Sequence, residues 1–244
     1  MNRLSWIGIV RLGLVQTALG SIVVLATSTL NRVMIVELAL PAVVPGALIA
    51  LHYAVQALRP RWGYGSDVGG KLTPWIIGGM GVLATGGVAA ATATAWMSVN
   101  RPAGLALAVF AFLAIGIGVG AAGTSLLVLL AKSVDARRRA PAATIVWIMM
   151  IAGFAITAGI AGHNLDPFSP SRLVAVMSTA SVLALLLAIV AVWGVEAGVK
   201  GVASPSSEPA HDKPPFGEAI RMVWAEPFAR RFTIFIFISM LAYS

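Results

Sequence analysis

Arg59-Pro-Arg-Trp-Gly-Tyr-Gly-Ser-Asp-Val-Gly-Gly-Lys-Leu-Thr-Pro-Trp75 is a short polar stretch set between two long apolar runs. Arg59, Arg61 and Lys71 supply cations, and Asp67 supplies the single anion. Gly63, Gly65, Gly69 and Gly70 admit backbone conformations that a Cβ opposes. Pro74 suits the first turn of a new helix, where a missing N–H goes unused. The stretch therefore reads as a sharp cytoplasmic turn between two membrane helices. Asp67 is placed to accept hydrogen bonds from neighbouring helix ends, and Asp67 with Lys71 reads as a conformational latch, not a substrate site.

The flanking runs set the class. Hydrophobic residues make up 59% of the chain and charged residues 11%, with a mean hydropathy of +0.91. Soluble domains carry about 25% charged residues, so this composition defines an all-α polytopic membrane protein. The absence of cysteine excludes disulfides and thiolate metal sites. A formal net charge of +8 could suggest nucleic acid, but the basic residues sit in the segments beside apolar runs. That is the pattern of membrane topology, and no nucleic-acid partner is expected.

Six apolar runs succeed one another: residues 12–30, 42–58, 74–97, 104–131, 142–162 and 173–195. Each approaches or exceeds the roughly 17–25 residues that cross a hydrocarbon core. The first is longer than a signal-peptide core of about 7–15 residues, so it reads as an uncleaved helix. The fourth contains Gly116-x-x-x-Gly120 and Gly123, spacing that lets helix backbones approach closely in lipid. Residues 203–215 turn to Ser, Pro and charge and read as a linker. Residues 216–228 place Phe216, Ala219, Ile220, Val223 and Trp224 on one helical face. That helix suits either the membrane surface or a solvated position packed on the protein.

The expected organisation is a six-helix domain over 1–199, a linker with the amphipathic helix over 200–231, and the start of a seventh transmembrane helix over 232–244. A helix over 232–244 would span about 20 Å of a core about 30 Å thick, so the run is expected to continue beyond Ser244 in a protein roughly twice as long. With the N-terminus in the cytoplasm, only Arg32, Arg101 and Arg172 of the 17 Lys and Arg fall outside. That asymmetry obeys the positive-inside rule.

No Gly-x-Ser-x-Gly, His-Glu-x-x-His or phosphate-binding loop is present, so the chain reads as a non-enzyme without catalytic residues and without a metal site of its own. His52 lies within the second run, where an ionisable residue is costly and a functional candidate. It could ligate the magnesium of a chlorophyll-type pigment or hydrogen-bond a neighbouring helix. Arg32 and Glu37 could pair at the outer mouth of a cavity or anchor the interface by snorkelling. Gln16, Asn31 and Gln56 could line the same cavity or join helices. The cluster Arg137, Arg138 and Arg139 meets anionic lipid and enforces topology, or docks a protein.

The pattern Gly63-x-x-x-Asp67-x-x-Gly70-Lys71, with Pro74 just beyond it, resembles the signature loop between helices two and three of the major facilitator superfamily. Longer matches are more specific. Leu14-Val-Gln-Thr-Ala-Leu-Gly20, Thr27-Ser-Thr-Leu-Asn-Arg-Val-Met34, Glu37-Leu-Ala-Leu-Pro41 and Leu51-His-Tyr-Ala-Val-Gln56 resemble the opening of the PucC/LhaA family. Arg59 to Asp67, Thr73 to Gly79 and Phe232 to Ser244 extend the likeness. The resemblance implies a major-facilitator-type N-terminal half from a purple phototrophic bacterium, in the inner (intracytoplasmic photosynthetic) membrane.

It also implies an assembly factor that binds or delivers bacteriochlorophyll a to nascent antennae. The implied partners are light-harvesting antenna α and β polypeptides, the reaction-centre–antenna complex, chlorophyll synthase with insertion machinery, and membrane lipid. Two other classes remain: a secondary transporter of a small solute, and a membrane chaperone that binds no pigment. The central portions of the six runs contain no Asp or Glu, which counts against proton-coupled transport.

Overall fold

The computed structural model describes residues 4–68, 71–196 and 216–243. All regular structure among them is helical. The chain divides into two compact units, Met1–Ser204 and Pro205–Ser244.

In the first unit, α1 runs over Trp6–Glu37 and departs from α-helical winding twice. Leu25–Thr29 and Val33–Glu37 are π-helical, with the single turn Leu30–Arg32 between them. Ser5 starts the helix by accepting a hydrogen bond from the Gly8 amide at 3.2 Å. The helix therefore extends well beyond the apolar run 12–30 at both ends. A tight connection with Ala39 at φ +50° leads to α2, Val43–Val55, which passes through a 3-10 turn at Gln56–Leu58 into α3, Arg59–Val68.

This corrects the reading of the opening stretch as a turn. Residues 59–68 are helical, and the next helix begins at Thr73. The reason lies in the later helix Arg101–Ser133, α5. Trp62 packs directly on Gly120, and a Cβ at Gly63 would touch Thr124 at 3.4 Å. Gly63 and Gly65 thus serve as contact surface in a helix whose weak propensity is overridden by packing. Gly70 and the Asp67 side chain lie outside the described residues. Lys71 is exposed, and Pro74 occupies the first turn of the next helix, Thr73–Trp96 (α4), as expected.

The longer helices come next: α4 over Thr73–Trp96, α5 over Arg101–Ser133, α6 over Arg139–Asn164 and α7 over Pro170–Val192. Asn100 and Ser169 cap α5 and α7, each just before the Arg-Pro or Pro-Ser that opens the helix. Among the described residues, five helices are long and apolar enough to cross a membrane: α1, α4, α5, α6 with its preceding 3-10 turn, and α7. The second apolar run is not one of them. Its α-helical part is 13 residues long, and the polar groups of His52, Gln56 and Arg59 interrupt its apolar character.

The packing centres on α4 and α5, which make the most extensive contact in the unit. A methyl built on Gly79 would come within 2.5 Å of the Ala122 amide nitrogen, and one on Gly118 within 2.5 Å of the Leu83 nitrogen. Backbone therefore lies against backbone, as small residues permit in lipid. Helix α2 packs on α5 through Gly116, where a Cβ would meet the His52 carbonyl oxygen at 2.8 Å. Helix α1 packs on α6 and α7, and α7 also packs on α4. The apolar core joins all of these, with Phe112, Leu12, Leu30, Met80 and Leu83 wholly buried.

The second unit holds α8, Phe216–Ala225, and α9, Pro227–Tyr243. The amphipathic helix ends three residues earlier than its sequence pattern predicts. Pro227 opens the next helix, so Arg230 and Arg231 lie within α9 rather than before it. Ile220, Val223 and Trp224 are exposed on α8.

Candidate functional site

The polar residues singled out in the sequence separate into two groups in space. Gln16 is 8% exposed, and its Nε2 donates to Met150 Sδ at 3.1 Å. Its neighbours continue the seam: Thr17 Oγ1 lies 3.0 Å from the Met149 carbonyl, and Thr157 donates to Ser21 Oγ at 2.8 Å. This seam joins α1 to α6. Gly153 completes it, since a Cβ there would press on Thr17. Asn31 is half-buried, whereas Arg32 and Glu37 are exposed near the far end of α1. Among the described residues no ion pair joins Arg32 to Glu37, so the structure places them as separate surface groups. Their helix deviates into π winding on both sides of Arg32.

The second group is a relay on α2 and the start of α3. Arg59 donates to Gln56 Oε1, and Gln56 Nε2 lies 2.9 Å from His52 Nε2. Arginine only donates, so Gln56 must present its oxygen to Arg59 and its NH2 to His52. His52 Nε2 then accepts, and the ring proton sits on Nδ1. That atom is buried and has no hydrogen-bond partner among the described residues. The ring is 1% exposed and lies 4.8 Å from the Tyr53 ring.

A pigment magnesium needs a ring nitrogen with a free lone pair on an open face. Here Nε2 is engaged by Gln56, Nδ1 carries the proton, and the ring is enclosed. The residues around His52 therefore do not fit a pigment macrocycle in this arrangement. They fit a histidine that ties the α2–α3 junction beside α5.

One arrangement escaped sequence reading. Glu196, just past α7, is 7% exposed. Its Oε1 accepts from the Leu72 amide at 2.7 Å and its Oε2 from the Thr73 amide at 2.9 Å. These amides open α4, so the carboxylate also faces the positive end of the helix dipole. Arg11 does the converse for α7. Its guanidinium donates to the carbonyls of Ala191 at 3.0 Å and Val190 at 3.3 Å, and to that of Trp193. Residues 190–196 thus clasp α1, α7 and α4 at one end of the bundle. The role anticipated for Asp67, accepting from a helix end, is performed at α4 by Glu196. Only an acidic residue closely trailing an apolar run could have signalled it.

The third feature is a cleft of about 440 Å³ between α1, α6 and α7. Helices α6 and α7 both pack on α1 but hardly touch one another. Among the described residues no cluster of His, Cys, Asp and Glu could hold a metal ion.

Apolar spans joined by glycine contacts, polar seams between helices and a lateral cleft define a polytopic helical membrane protein. Comparison with known proteins makes this specific. The model of the family described as PUCC protein matches residues 29–244, and the chain belongs to that family. It is 53% identical over 241 residues to the bacteriochlorophyll synthase 44.5 kDa chain of Rhodobacter capsulatus, covering 98% of this chain and 55% of that one. It is 30% identical over 254 residues to an uncharacterized protein of the puhA-bchM intergenic region of Rhodobacter capsulatus, covering 97% and 51%. It is 28% identical over 241 residues to protein PucC of Rhodovulum sulfidophilum, covering 91% and 52%. The chain spans about half the length of the curated relatives it matches. The name of the first relative, a chain of a bacteriochlorophyll synthase, overturns the reading of this sequence as a non-enzyme.

Proposed function

We propose that this chain handles bacteriochlorophyll within the membrane during assembly of light-harvesting antennae, in association with pigment synthesis. The observation that carries this reading is the 53% identity, over nearly the whole chain, to a protein named as a bacteriochlorophyll synthase chain. PucC relatives across the same region support it. On this reading the first unit is a major-facilitator-type half with its N-terminus in the cytoplasm. It receives bacteriochlorophyll a beside the synthase and passes it to antenna α and β polypeptides or to the reaction-centre–antenna complex. The membrane is the photosynthetic inner membrane. The buried acid Glu196 supports this over solute transport, because it is spent on capping a helix end and offers no midplane site for a coupled proton.

The test is purification of the tagged protein in mild detergent from phototrophically grown cells, then an absorption spectrum and identification of co-purified polypeptides. Bound bacteriochlorophyll, with antenna or synthase polypeptides, is the expected result. A colourless protein carrying antenna polypeptides would favour a chaperone that binds no pigment. A colourless protein alone would refute the proposal.

A further inference from the structure

The stretch that joins α5 to α6, Lys132-Ser-Val-Asp-Ala-Arg-Arg-Arg139, carries four cations against one carboxylate. Its arginines differ from others in the chain. Arg11, Arg59, Arg101 and Arg172 each donate to a carbonyl or amide oxygen of this protein. Arg137, Arg138 and Arg139 are exposed. Among the described residues, none of their guanidinium groups has a hydrogen bond or an ion pair. Each guanidinium carries five N–H donors in a planar fork. That fork matches the paired oxygens of a phosphate or a carboxylate. The cluster therefore offers charge and donors for which an anion from outside the chain is the complement.

Position decides which anion. The apolar run 142–162 makes about 31 Å of helix, which matches a hydrocarbon core about 30 Å thick. Arg139 precedes that run by less than one turn, about 4.5 Å of rise. The cluster thus lies within a headgroup layer roughly 5–8 Å thick on each side of the core. Arg138 is also held in place. Its Cζ lies 5.4 Å from the centroid of the Trp6 ring, a cation–π contact. The Leu4 amide donates to the Ser133 carbonyl at 3.0 Å, which ties the start of α1 to the end of α5. Trp6, Ile7 and Val10 share one face of α1 and are all exposed. Apolar surface therefore leads from the cation into the span.

We propose that Arg137, Arg138 and Arg139, with the Trp6 ring, bind the phosphate headgroup of an anionic phospholipid. Its acyl chains descend along the face of Trp6, Ile7 and Val10. A phospholipid brings both parts of the complement, the phosphate at headgroup depth and the hydrocarbon below it. An acidic segment of a soluble protein would have to enter the headgroup layer and would leave the apolar face uncovered. A zwitterionic headgroup would bring its own cation to a patch that already has an excess of them. The proposal does not rest on the function proposed above.

The test titrates the detergent-solubilised full chain with phosphatidylglycerol and with phosphatidylcholine of the same acyl chains, and reads bound lipid by native mass spectrometry. Inorganic phosphate and a polyglutamate peptide are added as competitors. Phosphatidylglycerol is expected to bind about tenfold tighter than phosphatidylcholine, with a preference that falls as salt is raised. That comparison needs no variant. Arg137→Gln, Arg138→Gln and Arg139→Gln together are expected to abolish the preference. Because these charges also bias insertion, the corresponding triple lysine variant keeps the charge and loses only the fork. It is expected to bind phosphatidylglycerol about threefold more weakly. Trp6→Leu, which frees Arg138, is expected to weaken binding about threefold. Equal affinity for the two lipids, or a glutamine variant with the wild-type preference, would overturn the assignment. So would lysine and Trp6 variants that both bind as the wild type does. Polyglutamate that displaces the lipid at lower concentration than the lipid itself binds would give the cluster to an acidic protein instead. Inorganic phosphate bound as tightly as phosphatidylglycerol would give it to a free anion, and either result would overturn the proposal.

Discussion

The contact of α4 with α5 and the meeting of α6 and α7 on α1 are built on opposite principles. Over their most apolar stretches α4 and α5 are each 56% buried, whereas α6 is 22% and α7 28% buried. All four helices are similarly apolar, so hydropathy does not separate them. The difference lies in where the small residues meet. On α4 and α5, Gly79, Gly86 and Gly118 fall opposite backbone atoms of the partner helix, and no room for a methyl remains. On α6, Gly159 and Gly162 face nothing within 4 Å, and the small residues of α7 line an open cleft. In lipid no hydrophobic force closes such a gap, because hydrocarbon fills it as well as protein does. The same residue types thus make a fused pair in one place and a lateral opening in another.

The sharpest way to break this comparison is Gly118→Leu. The side chain would be driven into the Leu83 backbone, and a loss of about 3 kcal/mol is expected in denaturant titration of the detergent-solubilised protein. Tolerance of this change would show that α4 and α5 are not in backbone contact. Next in size is Glu196→Ala, which strips both acceptors from the start of α4. A loss of about 2 kcal/mol is expected, because hydrogen bonds to a charged group are worth about 1.5–3 kcal/mol. Glu196→Gln, which keeps one acceptor, should recover part of it. Equal effects of Ala and Gln would remove the clasp from the account of this end of the bundle.

A smaller effect, about 1 kcal/mol, is expected for Gln56→Leu beside the tight pair. It also has a spectroscopic readout. Nitrogen-15 NMR of His52 should show the proton on Nδ1 in the wild type, and the variant should lose that preference. A wild-type proton on Nε2 would contradict the relay from Arg59. Smallest is Ala180→Leu on the cleft side of α7. Its added methyl groups enter open space, so thermal unfolding should move by less than about 0.5 kcal/mol equivalent. A loss comparable to that of Gly118→Leu would mean that the cleft is closed in the membrane.

Much of the architecture was legible in the chain because its cause is local. A buried backbone in hydrocarbon must satisfy its own hydrogen bonds, so long apolar runs become helices. The helix starts beside Ser5, Asn100 and Ser169 were not read from the sequence, because the apolar runs begin only at residues 12, 104 and 173, although each cap acts within three residues. Gln16 was visible as a polar residue that could join helices, though not the helix it would meet. The second apolar run misleads, since its composition suggests a full span ending in a glycine turn. Gly63 and Gly65 favour turns when considered alone, but Trp62 against Gly120 and Gly63 against Thr124 make residues 59–68 helical. Such contacts couple positions far apart in the chain and leave no local trace.

The sequence by itself therefore determined the class of the protein, the order of its apolar helices and its membership of the PucC family. Composition, hydropathy and collinear similarity are properties of the chain alone. Only the tertiary structure decided that His52 turns its lone pair to Gln56, that Glu196 caps α4 from 123 residues away, and that α6 and α7 stand apart over α1. Each of these depends on which helix faces of comparable hydropathy come into contact, and in a bilayer that choice is made by shape and hydrogen bonding between distant segments.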